Sequence, residues 1–265
     1  MLIDKGNYKL YKGDCLEVMD GLIALGVKFD AIICDLPYGT TKAKWDSMIP
    51  LDRLWNRYER LIKKDGAIVL FGSQPFTSKL INSKEDWFKE EIIWKKDRAS
   101  NFANAKHRHL KYHENIVIFS NGKHTYNRQM QPRKNKRVEQ MIKNGNMNFR
   151  KGKRTDGTEI SFGTDYKPRT FEVYDAKFKN PMSVIENPIV VSTSKEKLPH
   201  PTQKPLKLMD YLIKTYTNEL DLILDNTMGV GSTIVSAINN NRRAVGIELD
   251  DKYFNIAKER LENLV

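Results

Sequence analysis

Cysteine is almost missing from this chain, with two in 265 residues, Cys15 and Cys34, both in or beside stretches that read as buried. A fold built on disulfides is thereby excluded, and without metal-ligand spacing both thiols read as reduced and structural. Long apolar runs are missing too: none approaches the roughly 18 residues of a spanning helix, and mean hydropathy is −0.59. The opening Met1-Leu2-Ile3-Asp4-Lys5 lacks the apolar core of a signal peptide. The expectation is a cytoplasmic protein with no membrane contact. There is no Gly-Lys-Ser or Gly-Lys-Thr, which excludes a Walker phosphate loop. His107, His109 and His113 alternate with Arg108, Leu110 and Lys111, and no acid or thiol completes a metal set, so no metal is expected.

Negative charge is in short supply. Net charge is +12 with pI near 9.5, a balance that favours polyanions. Between Asn121 and Asn180, 15 Lys and Arg stand against 6 Asp and Glu, so +9 of the +12 falls in that stretch. The same segment has few aliphatic residues and interleaves aromatics, among them Tyr126, Phe149, Phe162, Tyr166 and Phe171. Such composition suits either disorder or an insert that orders on nucleic acid. The length suffices for one α/β core with a small insert.

The periodic segments alternate as an α/β chain does. Tyr8–Tyr11 reads as a strand, and Asp14 can cap a helix whose Leu16, Met19, Leu22 and Ile23 share one face. Phe29–Cys34 is apolar enough for a strand buried on both faces, and it stops at Asp35-Leu36-Pro37-Tyr38-Gly39. Leu51, Leu54, Trp55, Tyr58, Leu61 and Ile62 repeat at helical spacing. Lys64-Asp65-Gly66 then reads as a turn into strand Ala67–Phe71, which ends at Gly72-Ser73-Gln74-Pro75-Phe76. Further strands are expected at Glu91–Lys95 and Asn115–Phe119, joined by a polar, basic loop from Lys96 to His109. After the basic segment come His200-Pro201-Thr202-Gln203-Lys204-Pro205, a helix carrying Leu206, Met209, Leu212, Ile213 and Tyr216, and a strand Leu222–Asp225. The glycine-bearing turn Asn226-Thr227-Met228-Gly229-Val230-Gly231-Ser232-Thr233 leads into a helix, and Glu248-Leu249 closes the next strand about 20 residues on.

Taken together, Gly-Asp-Cys-Leu at 13–16, Asp-Leu-Pro-Tyr at 35–38, His-Pro-Thr-Gln-Lys-Pro at 200–205 and the glycine turn at 229–231 resemble the β-class amino-methyltransferases of DNA. The resemblance covers about residues 8–120 and 198–262. It implies a Rossmann-like, circularly permuted methyltransferase sheet with the catalytic half at 1–120, a basic target-recognition insert at 121–180 and the cofactor half at 181–265. It further implies S-adenosylmethionine as cofactor and an exocyclic amine of a flipped-out base, usually N6 of adenine, as acceptor. Asp35 and the Leu36 carbonyl would hold the amine hydrogens, Pro37 would stiffen the loop, and Tyr38 would stack on the base. Asp14, Cys15, Asp35, Thr202, Gln203, Lys204, Asp225, Thr227, Gly229, Gly231, Ser232, Thr233, Glu248 and Leu249 would line the cofactor site. Glu248 is suited to two ribose hydroxyls, and Asp14 to the cofactor's adenine as well as to the helix cap. The segment from Gly72 to Phe76 would support the base pocket.

Duplex DNA is the expected partner, contacted by Lys106, Arg108, Arg133, Lys134, Lys136, Arg137, Lys151, Lys153 and Arg154. A homodimer and a companion restriction endonuclease stay open. The sequence departs from the usual family pattern where Leu36 replaces a proline and where Asn226-Thr227-Met228 replaces an Asp-Pro-Phe-like start. N4 of cytosine is the alternative acceptor, although such enzymes more often carry Ser at the position of Asp35. A non-catalytic DNA-binding protein with a relic fold is the reading from another class.

Overall fold

The computed structural model describes residues 1–39, 47–100, 102–132 and 178–264. Its chain divides into two compact units, one made of Met1–Asn127 with Met182–Val265 and the other of Arg128–Pro181. In chain order the strands are β1 (Leu2–Asp4), β2 (Tyr8–Lys12), β3 (Phe29–Cys34), β4 (Ile62–Gly72), β5 (Phe88–Ser100), β6 (Lys111–Phe119), β7 (Gln131–Pro132), β8 (Phe178–Lys179), β9 (Val184–Glu186), β10 (Leu222–Asp225) and β11 (Arg243–Glu248). The helices are α1 (Cys15–Ala24), α2 (Leu51–Leu61), α3 (Phe76–Asn82), α4 (Leu206–Tyr216), α5 (Ser232–Asn239) and α6 (Asp251–Glu262).

Nine strands form one sheet in the order β1-β2-β11-β10-β3-β4-β6-β5-β9. The five from β2 to β4 are mutually parallel, so their carboxyl ends share one edge. Alternation along β3 explains the two-layered burial: Ala31 and Ile33 face a core closed by α4, α5 and α6, while Ile32 and Cys34 face one closed by α1, α2 and α3. A sheet covered on both faces calls for apolar residues at successive positions, which is how β3 reads. Strand β3 pairs directly with β10 although about 190 residues separate them in the chain. This is the permuted Rossmann-like methyltransferase architecture. The strands β7 and β8 pair antiparallel with each other in the second unit.

Some expectations are corrected. The strand read as Glu91–Lys95 runs from Phe88 to Ser100, and its partner begins at Lys111 rather than Asn115, so the basic loop shortens to the tip of a hairpin. Cross-strand contacts carry this extension: Lys96 Nζ lies 2.5 Å from Glu114 Oε1, and the Tyr112 hydroxyl donates to the Asp97 carbonyl at 3.0 Å. Lys64-Asp65-Gly66 is no simple turn. The strand begins at Ile62, and the β3–β4 register jumps from Phe29 opposite Ile62 to Ala31 opposite Ala67, so Lys63–Gly66 bulge out of the ladder. Lys63 pairs with Asp30 there at 2.6 Å. The antiparallel edge strand β1 and the short β9 have no counterpart in the sequence reading.

Candidate active site

Five parallel strands deliver their terminal residues to one edge. β2 leads to Asp14, β3 to Asp35, β4 to Ser73, β10 to Asp225 and β11 to Glu248. Hydrogen bonds tie these ends together: the Gly13 amide donates to the Glu248 carbonyl, the Met228 amide to the Ile247 carbonyl, both at 3.0 Å, and the Thr227 hydroxyl to the Asp35 carbonyl at 3.0 Å. The peptide that opens the Asp35 loop is thus fixed by the turn after β10.

A cavity of about 580 Å³ lies along this edge. Every expected cofactor residue lines it except Gly231, and so do Asp35, Leu36 and Pro37. Gly231, at φ +77°, caps α5, and a Cβ there would stand 3.2 Å from that of Ala257 on α6. It serves helix packing rather than the cavity wall. Gly229, at φ +53°, lets the turn approach His200, whose Nε2 would lie 3.1 Å from an added Cβ. Burial, then Lys204 and Lys197, push the His200 imidazole down to about 4, so it is neutral at pH 7.

Asp14 caps α1 by accepting from the Leu16 and Glu17 amides at 2.8 and 3.2 Å while also lining the cavity. Glu248 accepts from the Gly229 amide at 2.9 Å and the Asp250 amide at 2.7 Å, which orients its carboxylate, and burial raises its titration. Asp225 is pushed up to about 7 by burial, against hydrogen bonds from Thr233 and the Thr227 amide. Gln203 holds its own segment, accepting from the Leu198 amide and donating to the Glu196 carbonyl. The departure at Asn226 has a structural counterpart: Tyr58 and Cys34 donate to its Oδ1 at 2.6 and 3.1 Å. Its Nδ2 is buried without a hydrogen-bond partner. Met228 is buried, and a Cβ on Gly246 would stand 2.3 Å from its sulfur, so it fills the floor under the turn.

At Asp35 the strand end becomes a charged cluster. Oδ1 accepts from the Tyr38 hydroxyl at 2.7 Å, and Oδ2 accepts from Lys204 Nζ. Lys204 also faces Glu114 Oε2 at 3.5 Å and stands 5.0 Å from the centre of the Phe71 ring. Burial pushes the Asp35 carboxyl above the usual aspartate range against the pull of Lys204. Burial opposes the Lys204 charge as well, yet Asp35 and Glu114 outweigh it and hold the ammonium above its usual range. Leu36, where the common motif has proline, is buried in the core beneath the loop, so packing anchors the peptide that a ring would otherwise stiffen. Tyr38 does not line the cavity; its ring stacks on Phe76 with centroids 5.1 Å apart.

Glu114, Asn226, Tyr58 and Phe71 are not among the site residues expected from the sequence. One signal for Glu114 was present, an acid abutting a buried apolar run as Asp35 does. Lys106 and Arg108 are exposed at the β5–β6 hairpin tip. Because Gly72 at the end of β4 pairs with Asn115, that tip projects past the edge that carries Asp35. Arg133, Lys134, Lys136, Arg137, Lys151, Lys153 and Arg154 lie outside the described residues. Among the described residues no group of three or more His, Cys, Asp or Glu gathers as a metal site, and no helix is long and apolar enough to cross a membrane.

Comparison with known proteins finds chains similar over most of this length. The type II methyltransferase M1.MboII of Moraxella bovis is 26% identical over 97% of both chains. The orphan methyltransferase M.BamHII of Bacillus amyloliquefaciens is 32% identical over 66% of this chain and 63% of its own. The crystal structure of M1.HpyAVI in complex with SAM superposes with a TM-score of 0.63 at 25% identity, covering 96% of this chain and 99% of that one. The cytosine-N4-specific PvuII methyltransferase also reaches 0.63, over 97% and 86%, but at 14% identity it speaks for the fold alone. The family pattern for N6 and N4 DNA methylases matches residues 29–259, from the start of β3 almost to the end of α6, and the chain belongs to that DNA methylase family.

Proposed function

We propose that the protein transfers a methyl group from S-adenosylmethionine to N6 of an adenine flipped out of duplex DNA. The observation that carries this reading is Asp35, a carboxylate at the end of β3 on the wall of the cavity, tethered by Tyr38 and Lys204.

The lining fits the cofactor. Asp14, Asp225, Glu248 and Asp250 give an acid-rich wall suited to a cation with hydroxyl and amino donors. Glu248 would hold the ribose hydroxyls and Asp14 the adenine amine. When bound, S-adenosylmethionine supplies an electrophilic methyl group on a sulfonium. The chain's own residues prepare the nucleophile. An exocyclic amine is poorly nucleophilic while its lone pair is delocalised into the ring. Asp35 and the Leu36 carbonyl, accepting its two hydrogens, favour a localised lone pair and hold the nitrogen in line. Tyr38, braced by Phe76, offers a stacking platform for the extruded base, whose unstacking costs a few kcal/mol. Asp35, rather than Ser, favours adenine over cytosine.

The hairpin tip with Lys106 and Arg108, together with the basic stretch 121–180, would supply phosphate contacts. One relative is named a type II methyltransferase and another an orphan methyltransferase, so the names alone do not decide for a companion endonuclease. The test is product identity: methylated DNA digested to nucleosides should contain N6-methyldeoxyadenosine. N4-methyldeoxycytidine instead would overturn the adenine assignment.

A further inference from the structure

Both carboxylate oxygens of Asp35 are engaged, one by the Tyr38 hydroxyl and the other by Lys204. An oxygen held by an ammonium is a weakened acceptor for an arriving amine. The cluster contains a second place for that ammonium. Glu114 Oε2 is buried and its charged neighbour is Lys204, with which it makes a long ion pair at 3.5 Å. Its other oxygen is fixed by Lys96 at 2.5 Å. A shift of Nζ by somewhat under ~1 Å would bring it to normal charge-assisted distance from Oε2. The face of Phe71, 5.0 Å away, offers the cation a favourable surface beside it. The net charge of the cluster does not change in such a shift, and the long ion pair with Glu114 tightens.

We propose that Glu114 is a positioning residue that shares Lys204 with Asp35 and draws the ammonium toward itself when the target amine arrives, lengthening the Lys204 contact so that Asp35 Oδ2 can accept the amine hydrogen. This rests on Asp35 being the acceptor in the proposed reaction. The shift itself moves no proton and Lys204 stays protonated in it; the proton that the amine loses once the S–C bond has been exchanged for the N–C bond leaves in a separate step.

The test is a double-mutant cycle in single turnover, transferring tritiated methyl from S-adenosylmethionine into unmethylated plasmid DNA. In Glu114→Gln the ammonium is left on Asp35, and transfer should slow by about tenfold or more, with the cofactor-induced melting shift retained. In a Lys204→Met background there is no ammonium to draw off, and the same Glu114→Gln change should cost less than about twofold. An equal factor in both backgrounds, or Glu114→Gln at the wild-type rate, overturns the proposal. If Lys204→Met gives no cooperative melt, the acid limb of the rate for Glu114→Gln decides. Asp35 faces Lys204 from the segment before α4, Glu114 from β6, Tyr38 from its own loop and Asp225 from β10. Loss of the Glu114 charge should move that limb to lower pH, and an unmoved limb overturns the proposal. Undiminished transfer by Asp35→Ala would withdraw the reaction reading itself. An inactive Asp35→Ala with an equal factor in the cycle removes only the role of Glu114.

Discussion

Ionising Asp225 works against the fold. This carboxyl is 3% exposed and titrates near 7 instead of 3.8, so the folded state binds a proton that the unfolded chain has already released. Stability from this group is fully present below 3.8 and falls as pH rises toward 7, by on the order of 4 kcal/mol. The ligand-free Asp225→Asn variant should therefore gain on wild type with pH. Its melting temperature relative to wild type should rise by at least ~5 °C between pH 5 and pH 8, as read by calorimetry. Leu36 supports its loop by burial, and Leu36→Ala should cost about 2–4 kcal/mol in denaturant unfolding and slow transfer as well. Asp35, Pro37 and Glu248 were legible because an acid or proline that ends an apolar run stands out locally. The partnership of Asp35 with Lys204 and Glu114 was not, since those residues lie far apart in the chain and meet only where β3, β6 and the segment before α4 converge.

At the scale of elements, the join between β3 and β10 decides the site. Thr227 reaches from the end of β10 to the Asp35 carbonyl, and Thr227→Val removes that bond with little change in volume. The variant should lose about 1 kcal/mol of stability but more than tenfold in transfer rate, because the loop peptide is freed near the reacting atoms. Rate and melting temperature measured on one preparation separate the two effects. The parallel core was legible from its apolar runs. The outer half of the β5–β6 hairpin was not, because its residues are polar and its ladder depends on cross-strand pairs such as Lys96 with Glu114 rather than on a local pattern. β9 is three residues long and is defined only by its pairing with β5.

For the molecule as a whole, the charge distribution supports the proposed contact with DNA. Parallel strands put the acids that build the cavity on one edge, and the hairpin tip with exposed Lys106 and Arg108 extends past that edge. With +9 of the +12 net charge in residues 121–180, DNA affinity should fall steeply with salt. Replacing Arg133, Lys134, Lys136 and Arg137 by Gln should lower the slope of log K against log salt by about 3–4 if all four contact phosphate. A slope equal to wild type would place the phosphate contacts elsewhere.

The central claim, that Asp35 is the acceptor that readies the amine, is tested most directly by Asp35→Ala. One preparation would be assayed for tritiated methyl transfer into plasmid DNA and for stabilisation by S-adenosylmethionine. The account predicts that transfer falls by about a thousandfold or more while stabilisation by the cofactor persists. Turnover near the wild-type rate would contradict it and move the chemistry away from the end of β3.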